Sequence, residues 1–163
     1  MESGTSDSPR LRAATPEDEQ FLRAVYASTR ADELAQVPWS DEQKRAFTDM
    51  QFAAQDTDYR RNYPTAQFSI IEVRGVPAGR LYVDRCKKEI RILDIALLPD
   101  HRRVGIGTKL LRELQDEART AGKALTIHVE RFNPALHLYQ RLGFRQIEDK
   151  GVYLFLEWPS PQK

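Results

Sequence analysis

The chain is short of cysteine, of long apolar runs and of net charge, and each shortage excludes something. Cys86 is the only thiol among 163 residues. It rules out an internal disulfide and a zinc site built on cysteines. The longest apolar runs resemble Ile95-Ala96-Leu97-Leu98, far below the roughly 20 residues that a helical membrane span needs. The 25 Lys and Arg against 24 Asp and Glu leave a net charge of +1. A chain this neutral has no basic field with which to hold nucleic acid. The opening Met1-Glu2-Ser3-Gly4-Thr5-Ser6-Asp7-Ser8-Pro9 lacks a basic stretch followed by an apolar one, so it does not read as a secretory leader. A cytoplasmic location is the default expectation, with neither membrane nor nucleic acid as partner and no metal.

What remains is a globular balance, 40% hydrophobic and 30% charged, in a length suited to one domain. Residues 1–9 and 159–163 are expected to be tails around a domain at 10–158. Arg10 to Ala14 reads as a short strand. Thr15-Pro16-Glu17-Asp18 then starts a helix, with a capping threonine, proline in the first turn and acids at the positive end of the dipole. Phe21, Leu22, Val25 and Tyr26 continue it at helical spacing, and it ends before Pro38. Ser40 and Gln43 form a capping box for a second helix that carries Phe47, Met50 and Phe52 and fades near Tyr59.

The period then changes to two. Residues 67–73, 79–84 and 89–98 read as an antiparallel meander. Val104, Ile106, Leu110, Leu111, Leu114 and Ala118 make one helical stripe, stopped at Gly122. Leu125, Ile127 and Val129 alternate with Thr126, His128 and Glu130, a half-buried strand. A helix opens at Asn133-Pro134 and closes at Gly143. Strands at 144–147 and 152–158 flank the turn at Asp149-Lys150-Gly151. The order β-α-α-β-β-β-α-β-α-β-β is that of a mixed, mostly antiparallel α/β fold with flanking helices.

The segment Pro99-Asp100-His101-Arg102-Arg103-Val104-Gly105-Ile106-Gly107-Thr108 joins a strand to a helix. Its glycines admit positive φ and close approach of an anion. The free N–H groups at the helix start, with Arg102 and Arg103, suit a pyrophosphate. A tight turn that needs glycine only for packing would look the same. A dinucleotide fingerprint fails, because Leu110 stands where its third glycine belongs. A nucleoside-triphosphate loop fails, because no Gly-Lys-Ser/Thr follows.

Arg102-x-x-Gly105-x-Gly107, preceded by Ile95 to Asp100, resembles the acetyl-CoA loop of the GCN5-related N-acetyltransferases (GNAT superfamily). The segment from Asn133 to Phe144, with Ala135, Leu138, Tyr139 and Gly143, is similar to the superfamily's Asn…Ala-x-x-Leu-Tyr-x-x-x-Gly-Phe motif. The two motifs and the element order carry the resemblance over residues 10–158. Two departures stand out: Arg103 replaces a frequent glycine, and the interval from Asn133 to Ala135 is one residue short. The short interval leaves Asn133 between a cofactor contact and a helix cap.

The resemblance implies transfer of an acetyl group from acetyl-CoA to a primary amine of a small molecule or peptide, by direct attack. It places Arg102, Arg103, Val104, Gly105, Ile106, Gly107 and Thr108 on the pyrophosphate, and the main chain of Leu97 and Leu98 on the pantetheine arm. It sets Tyr139 beside the sulfur, where a phenol of pKa ~10 can serve a thiolate. By pattern alone Tyr139 also reads as a packed core tyrosine. Three residues compete as base: His128, with an ordinary pKa of ~6.5; Asp94, a carboxylate in the apolar run Ile92-Leu93-Asp94-Ile95; and Glu130, which shares the face of His128.

The resemblance places the acceptor against the first two helices, their connection and the late hairpin, with Glu33 for an ammonium, Trp39 as a wall and Glu130 as a further substrate contact. Tyr59, Arg60, Arg61 and Tyr63 form a basic aromatic stretch that could read an anionic group. Rival readings are a non-catalytic acyl-CoA-binding or regulatory module and a nucleotide-binding domain. The resemblance is compatible with a homodimer, which no residue demonstrates by itself.

Overall fold

Ile70 and Ile71 are adjacent, both are fully buried, and they belong to different cores. Successive strand residues point to opposite faces, so the sheet holding them is covered on both sides. The computed structural model describes residues 8–159; the expected tail segments 1–7 and 160–163 lie outside them. Seven strands form one sheet: β1 (Arg10–Ala13), β2 (Gln67–Val73), β3 (Val76–Arg85), β4 (Glu89–Leu97), β5 (Ala124–Glu130), β6 (Arg145–Asp149) and β7 (Tyr153–Trp158). Their spatial order is β1-β2-β3-β4-β5-β7-β6. Every pairing is antiparallel except that of β4 with β5. The mixed α/β architecture and the element order are those expected from the sequence.

Helices α1 (Glu19–Leu34) and α2 (Asp41–Asn62) cover one face, where Leu22, Tyr26, Phe52 and Ile70 form a small core. Ser40 caps α2, accepting the Gln43 N–H at 3.1 Å while Gln43 Oε1 accepts that of Ser40 at 2.9 Å. Such a cap contributes about 1 kcal/mol. Met50, expected on this second helix with Phe47 and Phe52, is 61% exposed. Helices α3 (Ile106–Ala121) and α4 (Leu136–Arg141) cover the other face over the larger core. Among the described residues no helix is long and apolar enough to cross a membrane.

Two features of β4 open a gap in the sheet. Its register against β3 shifts between Tyr82 and Val83, which face Asp94 and Ile92, so Leu93 is an extra residue that bulges. A bulge bends its strand and ends pairing locally. On the other side β4 pairs with β5 only from Glu89–Ala124 to Ile92–Ile127. Beyond that point β4 runs on beside β3 and β5 beside β7, and the two diverge. Opposite the diverging end, a Cβ on Gly79 would overlap the Ala96 carbonyl, so only glycine lets β3 lie this close to β4 there.

Candidate active site

A cavity of about 150 Å³ opens between the diverging ends of β4 and β5. Asp94, His128, Glu130, Asn133 and Tyr139, scattered over 46 positions of sequence, all line it. Leu93 to Ala96 form one wall and Ile127 to Glu130 the other. Tyr59 Oη donates to the carbonyl of the bulged Leu93 at 3.1 Å, which ties α2 to the bend.

The backbone of β4 decides which donors reach the gap. Leu98 N–H is committed to Ala78 O at 2.8 Å. Antiparallel ladders alternate their outward and inward residues. Leu98 and Ala96 therefore face β3, while Leu97 and Ile95 turn N–H and C=O toward the gap. Arg102 Nε donating to Leu97 O at 2.8 Å agrees with that orientation. Of the expected pair Leu97 and Leu98, Leu98 is committed to β3 and only Leu97 turns its main chain toward the gap, as Ile95 also does.

Tyr139 is 4% exposed and sits on α4 with its ring edge-on to Phe144, centroids 5.6 Å apart. Gln115 on α3 donates to Leu142 O at 2.8 Å, and Phe144 N–H returns to Tyr139 O at 3.0 Å. These bonds close the C-terminal end of a helix only six residues long and so fix its tyrosine. Burial pushes the phenol well above its ordinary pKa, and the charge of Asp94 adds to the shift. The hydroxyl stays protonated at any physiological pH. The margin over a thiol is therefore wider than an ordinary phenol would give, which favours hydrogen-bond donation over complete proton transfer.

The three candidate bases differ in what already holds them. Asp94 accepts from Arg80 Nε at 2.5 Å, and Arg80 is 2% exposed. Arg80 Nη2 also donates to Gln55 Oε1 at 2.7 Å. Removing Asp94 would leave a buried cation uncompensated, so its first task is structural. Glu130 faces Arg30 at 3.4 Å. His128 stacks on Phe155, centroids 4.5 Å apart, and enters no ion pair among the described residues. Burial lowers its pKa, and the nearby Lys150 and Arg91 cations lower it further. A neutral imidazole facing a cavity is the best proton acceptor of the three.

At the start of α3, Arg103 has φ 64° and Gly105 φ 88°. The helix begins at Ile106, not Val104, because these two left-handed residues turn the chain first. Val104 is consequently 68% exposed rather than part of the apolar stripe. The first intrahelical bond is Lys109 N–H to Gly105 O at 3.0 Å, so the N–H groups of Ile106, Gly107 and Thr108 precede it and have no helical acceptor. No side chain caps this end and no acid lies in its first turn, in contrast to the boxed start of α2. An open hollow of about 260 Å³ lies over it, bordered by Gly105, Ile106 and Lys109. Arg102 leans away from it, with Nη2 3.2 Å from Ser28 Oγ on α1.

Three expectations land elsewhere. Glu33 is an exposed i,i+3 partner of Arg30 at 3.0 Å, outside the cavity lining. Trp39 packs edge-on to Phe47, 5.3 Å between centroids, also outside it. The stretch from Tyr59 to Tyr63 is divided: Tyr59 lines the cavity, Arg60 pairs with Asp56 at 3.1 Å, and Tyr63 Oη accepts from Arg91 at 3.4 Å. Asn133 borders the cavity, and its Oδ1 accepts the Ala135 N–H at 2.8 Å in a turn just ahead of α4, whose N-cap is Ala135. Conversely Arg30, Arg80 and Tyr153 line the cavity without having been expected there. Arg30 had a readable signal: it follows Leu22 and Tyr26 at i+4 steps, a cation in the buried phase of α1.

Comparison with known proteins gives a consistent picture. The family model described as the acetyltransferase (GNAT) family matches residues 23–144. The L-amino acid N-acyltransferase MnaT of Escherichia coli (strain K12) is 52% identical over 48 residues, 28% of this chain and 28% of that protein. Streptothricin acetyltransferase of Streptomyces lavendulae is 42% identical over 59 residues, 35% of this chain and 31% of that protein. The chain thus spans about a third of the length of these curated relatives. Among solved structures, the PaiA N-acetyltransferase of Thermoplasma acidophilum, in complex with coenzyme A, superposes with a TM-score of 0.69. It is 18% identical and the match covers 93% of this chain and 99% of that one, a likeness of fold.

Proposed function

The chain belongs to the acetyltransferase (GNAT) family, and on that premise we propose that it transfers an acetyl group from acetyl-CoA to a primary amine inside the gap between β4 and β5. The observation that carries the reading is the divergence of these strands at Ile92–Ile127, which opens a cavity holding Tyr139 and His128. The uncapped start of α3, with Lys109 beside it, supports the same reading: free N–H groups and a cation suit a pyrophosphate.

When bound, acetyl-CoA supplies a thioester, an electrophilic carbonyl with a thiolate leaving group. Ile106, Gly107 and Thr108 N–H groups hold its phosphates. Leu97 N–H pairs with the amide-bearing arm as an added strand would, while its C=O accepts from Arg102 Nε at 2.8 Å. Ile95 N–H lies nearest the bulge and donates to the carbonyl oxygen as negative charge develops there. Tyr139 donates its O–H to the sulfur. His128 accepts the proton that the amine nitrogen must lose, directly or through one water. An amine of pKa ~10 is mostly ammonium at neutral pH, so without that acceptor it cannot attack.

Calorimetric titration with acetyl-CoA, repeated with ATP as competitor, tests the donor site. Micromolar binding that ATP barely disturbs is expected; no binding would overturn the assignment. Release of free thiol with an amine panel then separates an enzyme from a binding module, which would bind without turnover.

The pH profile tests the base. His128 works only when neutral, and its pKa is lowered, so activity should persist below the ordinary histidine value of ~6.5 before falling. His128→Gln should lower kcat about a hundredfold and abolish that acid limb. Lys150→Met removes one cation that depresses the imidazole and should move the limb upward. An unchanged limb in His128→Gln would pass the role to another group.

A further inference from the structure

Arg30 on α1 and Glu130 on β5 meet at the cavity from residues 100 positions apart. Arg30 Nη1 lies 3.4 Å from Glu130 Oε1 and 3.5 Å from Oε2. Charge-assisted N–H···O bonds are normally about 2.7–2.9 Å, so the two touch without closing. The guanidinium is nevertheless well placed. Its Nε donates to Tyr26 Oη at 3.3 Å, it lies 5.5 Å from the centre of that ring, and Glu33 holds Nη1 at 3.0 Å. Nη2 has no hydrogen-bond partner among the described residues. Side-chain exposures of 19% and 41% leave both groups within reach of a ligand.

A loose pair of opposite charges at a reaction cavity selects by charge. A simple ammonium would satisfy Glu130 but oppose Arg30. A simple anion would do the reverse. A compact zwitterion satisfies both, and replaces one long contact by two short ones. Arg30 and Glu130 lie only 3.4 Å apart, so a ligand that bridges them carries its two charges close together.

We propose that Arg30 and Glu130 together select the acceptor, and that it is a free α-amino acid or a similarly compact amino-carboxylate. This rests on the acetyl-transfer reading. The carboxylate binds the Nη edge of Arg30, and the ammonium is held by Glu130. His128 shares the strand face two residues away, about 6.6 Å along β5, within reach of that nitrogen through one water. A peptide amino terminus meets Glu130 equally well but brings an uncharged amide to Arg30.

The test compares a free amino acid, its primary amide, its decarboxylated amine and a dipeptide, read as thiol release at saturating acetyl-CoA. The free acid should exceed the amide in kcat/KM by about tenfold or more. Arg30→Gln should raise KM for the acid and bring the acid-to-amide ratio near one. Arg30→Lys, which keeps the charge but not the fork, should restore part of that ratio. Glu130→Gln should raise KM for all four. Amide or dipeptide reacting as well as the acid would overturn the proposal, as would equal losses on every acceptor in Arg30→Gln. Acetyl-CoA binding with no reaction from any of the four would overturn the acceptor class alone. Absence of acetyl-CoA binding would overturn the donor site with it.

Discussion

Tyr139→Phe should lower kcat about a hundredfold, about 2.7 kcal/mol of barrier, while acetyl-CoA affinity stays within about twofold. Packing and proton donation are separable in this side chain. The ring packs edge-on against Phe144 and is held on α4, whose end is tied by Gln115 to Leu142 O. Phenylalanine keeps all of that and removes one hydroxyl. What is lost is a donor that burial keeps protonated, needed only when charge reaches the leaving sulfur. A group that acts only in the transition state lowers kcat without weakening ground-state binding. Steady-state rates, a calorimetric Kd and a melting curve read chemistry, binding and packing in turn. Full activity in the variant would return Tyr139 to a packing role.

How much of the fold was legible in the sequence depends on what carried the signal. The stripe from Ile106 to Ala118 reports burial directly, and the alternation in Leu125-Thr126-Ile127-His128-Val129 marks the two faces of β5. Thr126 on the polar face is also buried, donating to Glu89 at 2.5 Å, so the strand is more than half buried. Backbone conformation is less visible. Arg103 at φ 64° is costly for a residue with a Cβ, and nothing in its side chain announces it, so Val104 reads as helix while the chain is still turning. The bulge at Leu93 is hidden too. A one-residue offset between strands is a property of the pair, not of either sequence.

The site residues divide along the same line. Tyr139 and the loop stand out through motifs. His128, Glu130 and Asp94 stand out because polar side chains interrupt apolar strands. Glu33 and Trp39 have suitable chemistry, but Glu33 lies on the exposed side of α1 and Trp39 lies between α1 and α2, and both are outside the cavity. The phase through Leu22 and Tyr26 leads to Arg30 instead. On α2 the same logic runs from Thr48 and Phe52 to Gln55 and Tyr59, two buried positions followed by two that line the cavity.

Gly105→Val should weaken acetyl-CoA binding about tenfold or more, since strained backbone costs about 1–3 kcal/mol and each 1.4 kcal/mol is tenfold. The cause lies in the backbone, because a Cβ at Gly105 would meet no atom within 4 Å. The residue is the N-cap of α3 at φ 88° and ψ 3°, a conformation that a β-branched side chain resists. Valine would pull the turn toward negative φ and rotate the N–H groups of Ile106 and Gly107 off their common direction. The helix itself should survive, anchored by buried Ile106, Leu110, Leu111 and Leu114. Gly105→Asn separates geometry from bulk, since asparagine tolerates the left-handed region. It should bind acetyl-CoA more tightly than the valine variant although both fill the hollow. Equal losses in the two would assign the effect to occlusion, and unchanged affinity in Gly105→Val would remove the phosphates from this loop.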